Sequence, residues 1–146
     1  MQKKRLWILI MIFMLLMQPI ALAASYVQMP SLAYQMAQQV NMERARYGLA
    51  PLRMDATLNA AANLRAEEIT RKFSHTRPDG SKWSTVSKRA YGENIARGQK
   101  TVDKVMAAWM SSEGHRRNIL RASYGSIGVS CVKAGNIYHW VQLFGK

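Results

Sequence analysis

The sequence predicts an α+β domain in which helices cover a small antiparallel sheet. Two patterns carry that prediction. Apolar residues recur at helical spacing through three segments, then change near the C-terminus to the alternation of strands. Helices first and strands last describe helices packed on an antiparallel sheet. A third observation sets the scale. The chain has 146 residues, of which 49% are hydrophobic and 20% charged. That suits one packed domain and disfavours a disordered chain or a multidomain enzyme. The single cysteine, Cys131, forms no intramolecular bridge, which excludes a disulfide-built miniprotein.

The chain opens on Lys3, Lys4 and Arg5, then an uncharged, apolar run from Leu6 to Met17. Gln18 and Pro19 break the run, and Ala21-Leu22-Ala23 places small residues two apart. This is the three-part pattern of a secretory signal peptide, residues 1–23, cleaved after Ala23. The run is shorter than the about 20 residues a spanning helix needs, so no transmembrane anchor is expected after cleavage. Cleavage lowers the net charge from +13 to +10, because three basic residues and no acidic ones leave. The expected location is secreted: periplasm, cell wall or medium. Residues 24–33 read as a lead-in, loose over 25–30, and 34–146 as the domain.

The first helix is expected from about Ser31 to Tyr47, with Leu32, Met36, Ala37 and Val40 on one face. Ser31 can cap it, Arg44 and Arg46 suit the dipole at its end, and Gly48 fits the left-handed position beyond. A second helix runs from Asp55 or Ala56 to Lys72. Asp55 is a good N-cap, and Leu58, Ala62, Arg65 or Ala66, Ile69 and Phe73 trace a face. Arg77-Pro78-Asp79-Gly80 is a turn, and a short helix is expected near Trp83 to Arg89. Thr101 caps a third helix to about Ser112, interrupted by Gly114. Its apolar face is Val102, Val105, Met106, Trp109 and Met110. Ile127 to Val132 and Ile137 to Phe144, separated by Lys133-Ala134-Gly135-Asn136, read as a hairpin. Cys131 lies in its first strand, where a buried, inert thiol is expected.

Chemistry-bearing residues gather where elements end, which is where sites tend to be built. His75 follows a helix, Glu93 lies in Tyr91-Gly92-Glu93-Asn94, and Glu113 and His115 flank Gly114. Two imidazoles suit Zn²⁺, Cu²⁺ or Ni²⁺, with a carboxylate completing the shell or holding a second ring nitrogen. Without metal, a Glu–His pair could act as base and acid. Against both stands a structural role as hydrogen-bonded polar groups that hold loops to helices. Spacing alone does not choose, since no H-E-x-x-H or C-x-x-C is present. His139 alternates with Tyr138 and Trp140 in a strand and is not expected to be a ligand. Lys and Arg are spread along the chain, so the charge points to solubility and loose polyanion attraction; no nucleic-acid module pattern is present.

Five segments, in order, resemble the short secreted bacterial branch of the CAP superfamily (cysteine-rich secretory proteins, antigen 5 and pathogenesis-related proteins; the SCP domain). They are Val40-Asn41-Met42-Glu43-Arg44-Ala45-Arg46-Tyr47-Gly48-Leu49-Ala50-Pro51-Leu52, then Phe73-Ser74-His75-Thr76-Arg77-Pro78-Asp79-Gly80, then Gly92-Glu93-Asn94-Ile95-Ala96. The fourth is Ala108-Trp109-Met110-Ser111-Ser112-Glu113-Gly114-His115-Arg116-Arg117-Asn118-Ile119-Leu120, and the fifth Ile127-Gly128-Val129 followed by Trp140-Val141-Gln142-Leu143-Phe144-Gly145. The resemblance covers residues 34–145. It implies a three-layer α-β-α sandwich with a cleft lined by two histidines and two acids. His75, Glu93 and His115 match three of the four. Ser112 occupies the position of the second acid in the larger eukaryotic members, with Glu113 beside it as a candidate substitute. The resemblance also implies that His75 and His115 can hold Zn²⁺ or another divalent ion.

Three functional readings follow. The first is a secreted binding protein with a metal-capable cleft. His75 and His115 are its metal ligands, Glu93 orients one of them, and Glu113, Asn94 and Ser74 support the cleft. Its partner would be an extracellular lipid, peptide or anionic envelope polymer, and the chain a monomer or weak dimer. The second is a metal- or Glu/His-dependent hydrolase of peptide or wall material, with Glu93, His75 and His115 catalytic. The third is a basic envelope-interaction protein with a vestigial cleft.

Overall fold

A computed structural model describes residues 25–146; the expected signal peptide lies outside them. The described residues form five strands and four α-helices. They are β1 (Tyr26–Gln28), α1 (Pro30–Arg46), β2 (Arg53–Met54), α2 (Ala56–Arg71), β3 (Gly92–Arg97), α3 (Val102–Ser111), α4 (Glu113–Ile119), β4 (Ser126–Ala134) and β5 (Ile137–Gly145), with a 3₁₀ turn at Trp83–Val86. The sheet order is β1-β4-β5-β3, antiparallel throughout, and β2 pairs in parallel with the start of β4. No helix among the described residues is long and apolar enough to cross a membrane.

The sheet is the middle layer because both of its faces are apolar. On one face Ile127, Val129, Cys131, Trp140 and Phe144 pack with α1, α3 and α4 through Met36, Val40, Val105, Trp109 and Ile119. On the other, Ile95, Val132, Val141 and Leu143 pack with α2 through Leu58, Ala62, Ala66 and Ile69. Adjacent strand residues point to opposite faces, so β5 supplies Trp140 to one layer and Val141 to the other. The alanines of α2 let it lie close. A Cβ on Gly128 of β4 would stand 2.2 Å from the Leu58 carbonyl carbon, so glycine is required for that approach.

Helix ends differ from expectation in instructive ways. Pro30 is inside α1 rather than outside it: Met29 is the N-cap, and Ser31 makes no capping bond. Proline suits the first helical position, where an N–H would have no partner. Asp55 and Thr101 cap α2 and α3 through Leu58 N–H at 3.0 Å and Lys104 N–H at 3.3 Å. The third helix breaks at Ser112, which is extended, and Gly114 lies within the separate α4. Gly48 has φ +68°, beyond α1.

Other expectations give way to tertiary pairing. Tyr26–Gln28, expected to be loose, forms an edge strand on Val132–Ala134. Gly92–Arg97, which carries no strand pattern in sequence, is β3. The hairpin turn is only Gly135-Asn136, since Ala134 already pairs with Ile137. Phe73 is exposed beyond α2 and lies under the Arg97 guanidinium, 5.0 Å from its ring centre. Arg44 does more than face the helix dipole. It is fully buried and donates to the carbonyls of Ala50, Ile119, Arg121 and Tyr124, which ties α1 to the end of α4.

Candidate functional site

The site straddles β3, the free outer strand. Glu93 and Asn94 are consecutive, so they face opposite layers. Glu93 faces α2. Its side chain is wholly buried and accepts from Arg65 Nε at 2.7 Å and Nη2 at 3.2 Å. Its Oε1 also bonds His75 Nδ1 at 2.8 Å. Both carboxylate oxygens are therefore engaged. Arg65 also donates to Glu68 at 2.6 Å and to the Ser74 carbonyl at 2.8 Å. Glu68 in turn accepts from Arg77 at 2.6–3.2 Å. Two buried carboxylates and two guanidiniums thus pin the His75 loop to α2.

The contact engages Nδ1 of His75, so in the tautomer that donates from Nδ1 to Glu93 the ring keeps its lone pair on Nε2. The His75 side chain is 54% exposed, so Nε2 is reachable. Its backbone is fixed as well: the carbonyl accepts from Trp83 N–H at 3.0 Å, and Thr76 bridges to Lys82. Ser74 supports the loop through Oγ, which accepts from Thr76 N–H at 3.0 Å, and through the carbonyl held by Arg65.

Asn94 faces the opposite layer and is fully buried. Its Nδ2 donates to the His115 carbonyl at 3.1 Å and to Gln142 Oε1 at 3.0 Å; its Oδ1 accepts from Asn118 at 2.9 Å. A neutral amide chain therefore positions α4 against the sheet. On α4, His115 Nδ1 bonds Ser112 Oγ at 2.9 Å, again leaving Nε2 without a protein partner among the described residues. The ring lies 6.4 Å from that of Trp109. His115 lines a cavity of about 320 Å³ along the outer edge of β3, with Phe73, Ile95, Arg97 and Trp109. Burial, the main cause, lowers the His115 pKa below its ordinary value.

Glu113 does not join them. It is exposed in the first turn of α4 and pairs with Arg117 one turn on. Ser112, not Glu113, lines the cavity beside His115. Two further side groups were expected to be inert. Burial pushes the Cys131 thiol up to about 12, where it stays protonated. His139 is buried on the α2 side of the sheet, and burial lowers its pKa. Arg65, Glu68 and Arg77 are contributors that sequence reasoning missed. Arg65 and Glu68, three apart on a helix face otherwise made of Leu58, Ala62 and Ile69, were the available signal.

The donor set can be tested against a metal. No group of three or more His, Cys, Asp or Glu among the described residues is arranged to hold an ion. Each of the two imidazoles is held through Nδ1, by Glu93 or by Ser112, which is the outer support usual for a metal-ligating histidine. A bound ion would take its remaining ligands from water or from a ligand.

Comparisons with known proteins meet the same architecture. The profile of the cysteine-rich secretory protein family, CAP, matches residues 37–144. The uncharacterised protein YkwD of Bacillus subtilis (strain 168) is 43% identical over 112 residues, which are 71% of this chain and 43% of that protein. The chain thus spans less than half the length of that relative. An outer surface protein of Borrelia burgdorferi superposes with TM-score 0.71 at 21% identity, over 84% of this chain and 98% of that one. An extracellular SCP-domain protein of Bacillus anthracis (strain Ames) gives TM-score 0.69 at 22% identity, over 80% and 41%. At such identities these two likenesses speak to the fold, which they share as an α+β sandwich. With a family profile spanning most of its length, and a relative sharing more than two fifths of its aligned residues, the chain belongs to the cysteine-rich secretory protein (CAP) family.

Proposed function

We propose that this is a secreted CAP-domain binding protein whose His75–His115 cleft takes a divalent metal ion and an extracellular lipid, peptide or envelope ligand. The observation that carries the reading is the matched preparation of two imidazoles. Each has Nδ1 engaged, by Glu93 or by Ser112, and each leaves Nε2 for a ligand. His75 and His115 would hold Zn²⁺ or a similar ion, which would supply Lewis acidity and an open coordination position. Glu93 would act as the orienting carboxylate, since Arg65 already occupies it. The lowered His115 pKa supports the reading, because a metal ligand must be neutral.

Calorimetric titration of Zn²⁺ into the metal-free protein, beside the His75→Ala, His115→Ala double variant at neutral pH, tests it. One-site binding that the double variant loses is expected. Absence of binding by the parent protein would remove metal from the account.

The hydrolase reading draws on the same Glu93–His75 pair, which would leave Nε2 of His75 as a base oriented by a carboxylate. Here His75→Gln is the informative change, because His75 is exposed, whereas Glu93→Gln also disturbs the buried Arg65. Hydrolysis of a peptide or wall substrate by the parent protein, abolished by His75→Gln with unchanged melting temperature, would favour this reading over binding alone.

A further inference from the structure

A second cavity, of about 340 Å³, lies away from the histidines, between α1, α2 and the outer edge of β4. It occupies a gap in the sheet. β1 covers the far end of β4, pairing up to Gln28 opposite Val132, and β2 covers the near end at Ser126 and Ile127. Between them the odd-numbered residues of β4 turn their main-chain groups outward. Asp55 N–H donates to the Ile127 carbonyl at 3.0 Å, and Met29 N–H to the Cys131 carbonyl at 2.8 Å. Val129 N–H donates to Asn59 Oδ1 at 2.9 Å. Two groups remain: the Val129 carbonyl and the Cys131 N–H have no protein partner among the described residues. Both residues are almost fully buried, at 3% and 1% exposure, and both line the cavity. Buried main-chain polar groups are nearly always paired, so these two take a partner from the cavity, either water or a ligand.

Their spacing fits one residue of a parallel strand. In a parallel ladder one residue donates its N–H to the carbonyl of residue i−1 on the neighbour and accepts from the N–H of residue i+1. Val129 and Cys131 stand in that relation about Ser130. A single residue running parallel to β4, as β2 already does, would satisfy both groups. The walls add a charge preference. Among the described residues Glu67 is the only charged one lining the cavity; it lies close enough to the Tyr26 hydroxyl to raise that group's pKa, but it belongs to none of the seven ion pairs among those residues. On a chain whose net charge is strongly positive, a carboxylate outside any ion pair favours a cation. Tyr34 and Met54, both substantially exposed, form apolar rims for a side chain.

We propose that this gap is a binding site for a short, positively charged peptide. One of its residues would lie parallel to β4 opposite Ser130, and its ammonium would reach Glu67. This is strand addition confined to one residue, in which main-chain bonds give affinity and the rim gives selectivity. It is independent of the histidine cleft and of any metal there.

Titration of the ¹⁵N-labelled protein with acetyl-Ala-Lys-Ala-amide, followed by amide resonances and hydrogen exchange, tests it. The Cys131 amide is expected to shift and to exchange more slowly on binding, with the His75 and His115 resonances unmoved. The peptide carrying an N-methyl group on the lysine nitrogen of the main chain cannot donate to the Val129 carbonyl, and should bind about tenfold more weakly. Glu67→Gln should weaken the parent peptide about threefold without changing the melting temperature. The Ala-Glu-Ala counterpart should bind less well than either. No response at Cys131 up to about 10 mM peptide, beyond the range of even weak specific binding, would overturn the proposal. So would equal binding of the N-methylated peptide, or preference for the acidic one.

Discussion

The two sides of β3 solve one problem with opposite chemistry. On the α2 side Glu93 is held by Arg65 within a network of full charges that continues to Glu68 and Arg77. On the α3–α4 side Asn94 is held by Gln142, Asn118 and a carbonyl, all neutral. Each side fixes one histidine: the charged side through the ring of His75, the neutral side through the backbone of His115. The difference teaches where rigidity is conditional. Removing one member of a buried charge network strands the others without a counter-ion, whereas removing a neutral amide leaves unmet hydrogen bonds of smaller cost.

The largest expected effect is therefore on the charged side. Arg65→Met should cost about 3–5 kcal/mol in denaturant unfolding, because Glu93 and Glu68 would remain buried without their shared partner. A loss under about 1 kcal/mol would break the contrast. Comparable in size is Trp109→Ala on the other side, at about 3–5 kcal/mol for a buried tryptophan, with loss of the indole bond to the Ile95 carbonyl. Asn94→Ala should cost less, about 1–3 kcal/mol, and should perturb the His115 resonances while leaving those of His75 in place. If both histidines moved equally, the two sides would not be separate supports.

Acid should sharpen the comparison further. Burial raises the Glu68 pKa, but its bonds to Arg77 and Arg65 outweigh this and hold it below the ordinary carboxylate value. Its stabilisation is fully present above the unfolded pKa, about 4.3, and is lost as pH falls through the lower folded value. His115 and His139 are also lowered, chiefly by burial. For them stability is lost earlier, as pH falls below about 6.5, because the unfolded chain takes up protons first. Melting temperature followed by calorimetry should accordingly decline in two stages. Glu68→Gln should flatten only the lower stage and His139→Gln only the upper. A single stage unaffected by either change would show that these groups do not control the response. The smallest effect belongs to Glu113→Ala, within about 0.5 kcal/mol and with Zn²⁺ binding by calorimetry unchanged, since its carboxylate is at the surface with Arg117.

Local pattern made much of this protein readable in advance. The spacing of Met36, Ala37 and Val40, the caps at Asp55 and Thr101, and the hairpin around Gly135 each depend on neighbours a few residues away. The family resemblance likewise rested on contiguous segments, and it carried the three-layer fold. Signals of that range do not report strands whose identity comes from a distant partner. Tyr26–Gln28 and Gly92–Arg97 are strands because β4 and β5 lie beside them, and Gly92-Glu93-Asn94 has no strand pattern of its own.

The site divides in the same way. Its histidines and Glu93 were identifiable from residue type and position at element ends, and Asn94 from its place beside Glu93. Their partners were not. Arg65 lies 28 residues from Glu93 and Gln142 lies 48 from Asn94, so only packing of α2 and β5 against β3 decides those bonds. Glu113 shows the limit from the other direction. It adjoins the position the family gives to an acid, but the helix begins anew at Ser112, and the first turn of α4 directs its carboxylate to Arg117. Sequence alone determined which chemical groups the chain carries and the periodicity that folds each segment. The tertiary structure decided which buried charges meet, and which histidine nitrogens and main-chain groups of β4 have no partner among the described residues, because each depends on elements far apart in sequence coming together in one core.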